Sequence, residues 1–279
     1  MKKVFAVIMV LMGLAFTQSL AEAPMDINSV LMRSTFKIAG NGSIGTAFIL
    51  GKPMPSDPNK AYYVMVTAAH VLNQMTGEKA ILYLRKKEGD SFKKFPFEIS
   101  IRKGDKALWT THPSADVAVM YVPLPQVADI TLISTDLLAT DETLNKFEIH
   151  PGDRLSCLGY PLNYEANEAG FPILRSGYIA SYPLVPTKTV KSFLFDFNVF
   201  EGNSGGPVYM VDYSRTYGGA LAIGVVEFLA GLVSQESVFQ ERIESRNELR
   251  IQNTQLGLGV VIHAALIREA LALLPAEPK

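Results

Sequence analysis

Between residues 34 and 228 the apolar side chains come in short runs separated by Gly, Pro, Asn and Asp, and this punctuation constrains the fold more than any other feature. Runs of four to eight residues broken by turn formers read as strands rather than helices. Candidate strands are 36–38, 45–50, 62–68, 80–85, 95–102, 116–121, 154–158, 174–179, 193–197, 207–210 and 220–228. So many short strands predict an all-β barrel or sandwich architecture. The charged segment 86–90 reads as a turn between two of them. Late in the chain the pattern changes. Residues 235–252, rich in Glu, Arg and Gln, read as a short helix or a mobile surface loop, whereas 264–274 carries Ala, Leu, Ile, Arg and Glu and stops at Pro275, predicting a terminal helix packed on the second lobe.

The start of the chain stands apart. Lys2 and Lys3 precede an apolar run at 4–16, followed by Ser19-Leu20-Ala21. The run is shorter than the roughly 20 residues needed to span a bilayer, and a cationic start with a small-residue exit is the build of a secretory signal. Residues 1–21 are therefore expected to be a signal peptide, and the protein to be periplasmic or secreted in a bacterium, with no stable membrane span after signal removal. Export permits disulfides, yet Cys157 is the only cysteine, so stability must come from packing. A single thiol and four histidines without ligand spacing give no metal site and call for no cofactor. With 26 basic against 27 acidic residues and no basic stripe, nucleic acid is not an expected partner.

Pro123, Pro125 and Pro151 flank a looser, charged stretch, which predicts a first β unit at 22–125, a connection at 126–152, a second β unit at 153–263, and a helix and tail at 264–279.

Three segments carry chemistry. Thr67-Ala68-Ala69-His70-Val71 sets a histidine at the end of an apolar strand. Ser114-Ala115-Asp116-Val117-Ala118-Val119 sets a carboxylate at the head of another, where an imidazole N–H is a suitable donor. Glu201-Gly202-Asn203-Ser204-Gly205-Gly206-Pro207 surrounds a serine with glycines, so that the N–H groups of Gly202 and Ser204 can point at a common spot and serve as oxyanion donors. Taken singly, His70 fits a structural role, Asp116 a turn, and the glycine run a plain β-turn. Together they supply nucleophile, base, orienting carboxylate and oxyanion donors for acyl transfer.

These segments, in the order His, Asp, Ser, resemble the trypsin-like serine protease superfamily. Further segments resemble its bacterial Deg/HtrA-type branch: Pro151-Gly152-Asp153, Leu158-Gly159-Tyr160-Pro161, Ser176-Gly177-Tyr178-Ile179-Ala180-Ser181, Ile223-Gly224-Val225 and Gly257-Leu258-Gly259-Val260-Val261-Ile262. The resemblance implies two six-stranded antiparallel β-barrels, His70 and Asp116 from the first, Ser204 from the second, and polypeptide substrates in the cleft between. By the same resemblance Asn198 lies at the base of the primary pocket, with Asp196 on the same strand face and Phe228 and Leu229 on the wall, which implies preference for an uncharged, small or medium apolar residue. Val71 replaces a cysteine common in secreted animal relatives. Asn203 replaces the aspartate that pairs with a freed N-terminus, so that activation switch is not expected, and no peptide-binding domain is expected after Leu274.

Two rivals remain open at this stage. Ser204, Asp212 and His263 have the chain order of an α/β-hydrolase esterase, and a protease-like scaffold could bind peptides or unfolded chains without cutting. Cys157 reads as a buried inert thiol, His112 as a surface-loop residue near the cleft rim, and His263 as a strand end.

Overall fold

The computed structural model describes residues 26–221, 224–244 and 249–278; the expected signal at 1–21 lies outside them. A helix absent from the sequence reading comes first, α1 (Ile27–Ser34). Asp26 caps it, its carboxylate accepting from the N–H groups of Asn28 at 3.0 Å and Ser29 at 3.2 Å, which satisfies donors a helix start leaves orphaned.

The first lobe is one antiparallel sheet joined at its middle by a short parallel strand. Its strands are β1 (Thr35–Gly40), β2 (Ser43–Met54), β3 (Asp57–Thr67), β4 (Lys79–Glu88), β5 (Ser91–Ser100), β6 (Thr110–Thr111), β7 (Ala118–Tyr121) and β8 (Ile133–Ser134). They lie in the order β5-β4-β1-β2-β3-β7-β6, with β8 parallel to β2. Asn41 and Gly42 turn β1 into β2 with φ of 44° and 80°, the pair of positive φ values that a two-residue hairpin requires. In β4 Ala80, Leu82 and Leu84 are buried while Ile81 is exposed, the alternation of a sheet with one face on a core. Residues 45–51 of β2 are buried continuously, because β1 and β3 flank that strand, α1 packs against it and Thr46 meets the turn at Ser204.

The second lobe is a closed six-stranded barrel. It is built from β9 (Arg154–Gly159), β10 (Ile173–Ile179), β11 (Ser192–Asp196), β12 (Pro207–Asp212), β13 (Val226–Glu244) and β14 (Leu249–His263), in the order β9-β10-β11-β14-β13-β12. The all-β expectation holds. In the first lobe the hydrogen-bonded path has seven strands and stays open between β5 and β6, with β8 joining β2 off that path.

Other segments differ locally from the sequence reading. Residues 235–244 and 249–252 are neither helix nor loose loop: β13 and β14 extend into an arm paired as far as Glu244 and Leu249. Continuing the ladder satisfies backbone groups that a helix would have to take out of it, and Val238, Ile243 and Ile251 suit a strand. The expected strand 220–228 is broken. Ala220–Leu221 pairs with Thr216–Tyr217 as a separate ribbon, and Gly224, at φ 107°, separates it from β13. The connection contains α3 (Asp141–Lys146), begun by a capping box between Thr140 and Thr143.

The terminal helix α4 (Ala264–Leu273) buries Ala264, Leu266, Ile267, Ala270 and Leu271. It reaches both lobes rather than the second alone. Its Glu269 Oε2 lies 3.0 Å from His112 Nε2 of the first lobe, and Arg268 Nε donates to the Leu138 carbonyl at 2.9 Å. His112 is thereby 5% exposed, buried under this helix instead of lying in a surface loop. No helix among the described residues is long and apolar enough to cross a membrane.

Candidate active site

His70 does not end strand β3. The chain leaves β3 at Thr67 and turns through Ala68 into α2 (Ala69–Gln74), which places the imidazole in that helix's first turn. Two bonds join it to Asp116 in the loop before β7. The His70 N–H donates to Asp116 Oδ1 at 2.9 Å, and His70 Nδ1 lies 2.7 Å from Asp116 Oδ2. An ionised carboxylate only accepts, so Nδ1 carries the proton and Nε2 is left as the ring's acceptor.

Burial by itself would raise the pKa of Asp116, but the hydrogen bonds from His70 and Ser234 outweigh it and hold the carboxyl below its ordinary value. Ser234 was missed by the sequence reading. Its Oγ donates to Asp116 Oδ2 at 2.5 Å, so one residue of the second lobe bonds the carboxylate of the first. The available signal was faint: a small polar residue directly after the apolar run at 229–233, where the β13–β14 register shifts.

Ser204 sits in a tight turn whose shape needs glycine on both sides. Gly202 has φ 92° and Gly205 φ 86°; a Cβ on Gly202 would lie 2.2 Å from the Tyr160 carbonyl oxygen, and one on Gly205 2.1 Å from that of Thr46. Asn203, 1% exposed, clamps the turn from inside. Its Oδ1 accepts from the Phe200 N–H at 2.9 Å, its own N–H donates to the Phe200 carbonyl at 3.0 Å, and its carbonyl accepts from the Gly206 N–H at 2.9 Å. The Asn203 side chain is thus committed to its own turn.

From the first lobe Thr46 grips the same turn, its Oγ1 donating to the Gly202 carbonyl at 2.6 Å and its N–H to the Ser204 carbonyl at 2.8 Å. With that carbonyl held away, the N–H groups of Gly202 and Ser204 donate to no protein acceptor among the described residues. The Ser204 hydroxyl donates to the Ser234 carbonyl at 2.9 Å and makes no hydrogen bond to His70. Beside His70 an open cleft of about 670 Å³ is lined by Asp116, Ser234, Gln235, Lys191 and Val260, among others.

The expected pocket is only partly assembled. Asn198 is exposed, as is Asp196 on the same face, and the Asn198 carbonyl accepts from Arg175 Nη1 at 2.7 Å. The Arg175 guanidinium lies over the rings of Phe197 and Phe200, 4.3 Å and 5.4 Å from their centres. Phe228 and Leu229 are not wall residues of this region. They are 2% and 0% exposed in the barrel core, paired with Met210 and Tyr209, because β13 runs on to Ser234 before it reaches the site. Phe228 lines a small apolar cavity with Leu155, Phe193 and His263.

Cys157 is buried, and burial pushes its thiol pKa up to about 12, which leaves it protonated and unreactive. His263 closes β14, as expected. The esterase arrangement is absent: Asp212 accepts from the Ser214 N–H, buried His263 Nε2 has no hydrogen-bond partner among the described residues, and Ser204 leads into a strand instead of a helix. Among the described residues no group of three metal-ligating side chains gathers.

Comparison with solved structures finds similar chains of low identity. An inactive-form crystal structure of Rv3671c from M. tuberculosis H37Rv, in a Ser343Ala mutant, is 19% identical, with 88% of each chain covered and a TM-score of 0.46. A further structure, titled as the Rv3671c protease in an inactive form, is 20% identical over 88% of this chain and 91% of that one, with a TM-score of 0.45. Human heparin binding protein is 12% identical over 89% and 93%, with a TM-score of 0.49. No curated protein sequence matches. The profile of the trypsin-like peptidase domain matches residues 45–218, more than half of the chain and the whole span from β2 to the ribbon after β12; the chain belongs to the trypsin-like peptidase domain family and is a protease acting on polypeptides.

Proposed function

We propose that the protein is an exported serine endopeptidase in which Ser204 is the nucleophile, His70 its base and Asp116 the orienting carboxylate. One observation carries this reading: Asp116 fixes the Nδ1 proton of His70 at 2.7 Å, leaving an acceptor nitrogen at the cleft whose other lobe offers Ser204 and two uncommitted N–H groups. The Ser204 hydroxyl turns about its Cα–Cβ bond from the Ser234 carbonyl to His70 Nε2. As Oγ attacks the scissile carbonyl, its proton passes to Nε2 and the carbonyl oxygen takes up negative charge between the N–H groups of Gly202 and Ser204.

His70 then delivers that proton to the departing amine, leaving an acyl-enzyme. Water, deprotonated by His70, cleaves the ester and restores Ser204. Asp116 stays ionised throughout, stabilising the imidazolium that forms twice in the cycle. The cationic start and apolar run at the N-terminus support export, to the periplasm or beyond in a bacterium. Asn198, with no charge of its own, supports preference for an uncharged primary side chain.

The experiment is active-site labelling with a fluorophosphonate, followed by peptide mapping, alongside a cleavage-site profile on a peptide library. Labelling at Ser204 together with peptide hydrolysis is expected. Absence of both in the wild-type protein would mean that the fold binds peptides without cutting them.

A further inference from the structure

Arg85, on β4, is 0% exposed and pairs with no carboxylate among the described residues. Its guanidinium lies between two rings, 4.4 Å from the centre of Phe36 and 4.3 Å from that of Phe171. It donates to carbonyl groups from two separate parts of the molecule. Nη2 reaches Met32 at 3.0 Å and Thr35 at 2.8 Å in the first lobe, and Nη1 reaches Gly170 at 2.9 Å in the second. The buried Tyr160 hydroxyl bonds the carbonyls of the same Thr35 and Gly170, at 3.2 Å and 3.1 Å. A buried cation is costly unless its donors are met, and an apolar side chain would fill such a space with less penalty. Packing therefore does not account for an arginine here; what the fork does is hold carbonyls of two lobes together.

The segment it holds, the loop 160–171, lies directly against the oxyanion turn. Leu162 N–H donates to the Glu201 carbonyl at 2.7 Å, and the Tyr160 carbonyl stands where a Cβ on Gly202 would fall. The Glu201–Gly202 peptide, whose N–H is one of the two uncommitted donors, is thus oriented by this loop. Leu162 and Asn163 hold φ of 50° and 67°, left-handed values that non-glycine residues keep only when their surroundings impose them. The surroundings do so: Lys37 Nζ donates to Asn163 Oδ1 at 2.9 Å and forms an ion pair with Glu165 Oε1 at 2.5 Å, and Lys94 pairs with Glu165 from β5.

We propose that Arg85 is a positioning residue for the oxyanion site, fastening the loop 160–171 to the first lobe so that the Gly202 N–H is aimed before substrate arrives. The proposal rests on the catalytic reading of Ser204 given above, and adds the element that keeps its oxyanion donors in place.

The test uses the full chain with Arg85→Met, Arg85→Lys and Glu165→Gln. At a temperature where circular dichroism shows each variant folded, the measurements are kcat and KM on a peptide substrate, affinity for a peptide boronate, and hydrogen exchange of the Leu162 and Asn163 amides, which donate to the Glu201 and Tyr160 carbonyls. Arg85→Met should lower kcat by about 10–100-fold, the range expected when a preorganised donor is misaimed. KM should stay within about threefold, boronate affinity should fall in step with kcat, and both amides should exchange faster. Arg85→Lys should recover part of each loss, and Glu165→Gln should show the same pattern in weaker form.

A folded Arg85→Met with unchanged kcat and unchanged exchange overturns the proposal. So does a loss of kcat without faster exchange at Leu162 and Asn163. If Arg85→Met does not fold, Arg85→Lys and Glu165→Gln decide by the same criteria. Exchange is read without reference to turnover, so a wild-type protein that neither labels nor cleaves would remove the catalytic reading while the brace is still judged by its amides.

Discussion

On one side of the contact between the lobes, the loop 160–171 is fastened by a buried guanidinium, a buried tyrosine hydroxyl and a carboxylate held by two lysines. On the other side lies the open cleft beside His70, bridged at its margin by the Ser234 hydroxyl on Asp116. The fastened side adjoins the atoms that must be aimed before a transition state forms, because donors that reorganise during reaction lose most of their value. On the open side the polar ties gather on Asp116 and Ser234, and the cleft beside them is left free. Rigidity and access are thus divided between two flanks of one interface.

The difference can be broken or sharpened by substitution, the largest effect coming where the lobes meet. Ser204→Ala or His70→Ala should each cut peptide hydrolysis by several orders of magnitude, and the double variant should lose little more, as residues of one unit do; steady-state kinetics on a chromogenic peptide reads this, and additive losses would show that the two do not share a mechanism. Gly202→Ala attacks the fastened side, since its Cβ would press on the Tyr160 carbonyl at a φ of 92°. A loss in kcat on the order of 100-fold is expected, with KM little changed.

A third prediction concerns the barrel core behind the cleft. Burial pushes the His263 pKa down to about 4, so the folded state holds this ring neutral while the unfolded chain protonates it at its ordinary value near 6.5. Stability is unaffected above pH 6.5, falls as pH drops from about 6.5 to about 4, and levels off below, for a total of roughly 3 kcal/mol. Urea denaturation at several pH values checks this, and His263→Leu should flatten the slope in that window; an unchanged slope would assign the acid sensitivity elsewhere. The smallest effect belongs to the open side. Ser234→Ala removes one donor from Asp116 but keeps the backbone carbonyl that receives Ser204, and should lower kcat about tenfold.

The parts of the site legible in the sequence were those with local, self-contained chemistry. His70, Asp116 and Ser204 each sit in a run whose small or apolar neighbours announce a close backbone approach. Phe228 and Leu229 were placed on the pocket wall by resemblance, whereas in this chain β13 runs on to Ser234 and Gln235 before it reaches the cleft. Ser234 lacks glycine or proline around it and acquires its role only through a partner 118 residues away. Arg85 closes the expected strand 80–85 beside a charged turn, and nothing there marks a role; it is buried by Phe36 and Phe171, which no periodicity joins. The arm at 235–252 was misread because its polar composition suits helix as well as strand, and only the pairing of β13 with β14 decides between them.

The sealed thiol of Cys157 has a practical consequence. A chain whose single sulfhydryl is inert while the fold is intact is already a blank background for maleimide chemistry. One cysteine introduced at an exposed position, on the loop 160–171 or at the cleft rim, would be the sole reactive handle. A fluorophore or spin label attached there could follow the two flanks separately, without stripping any native residue from the protein.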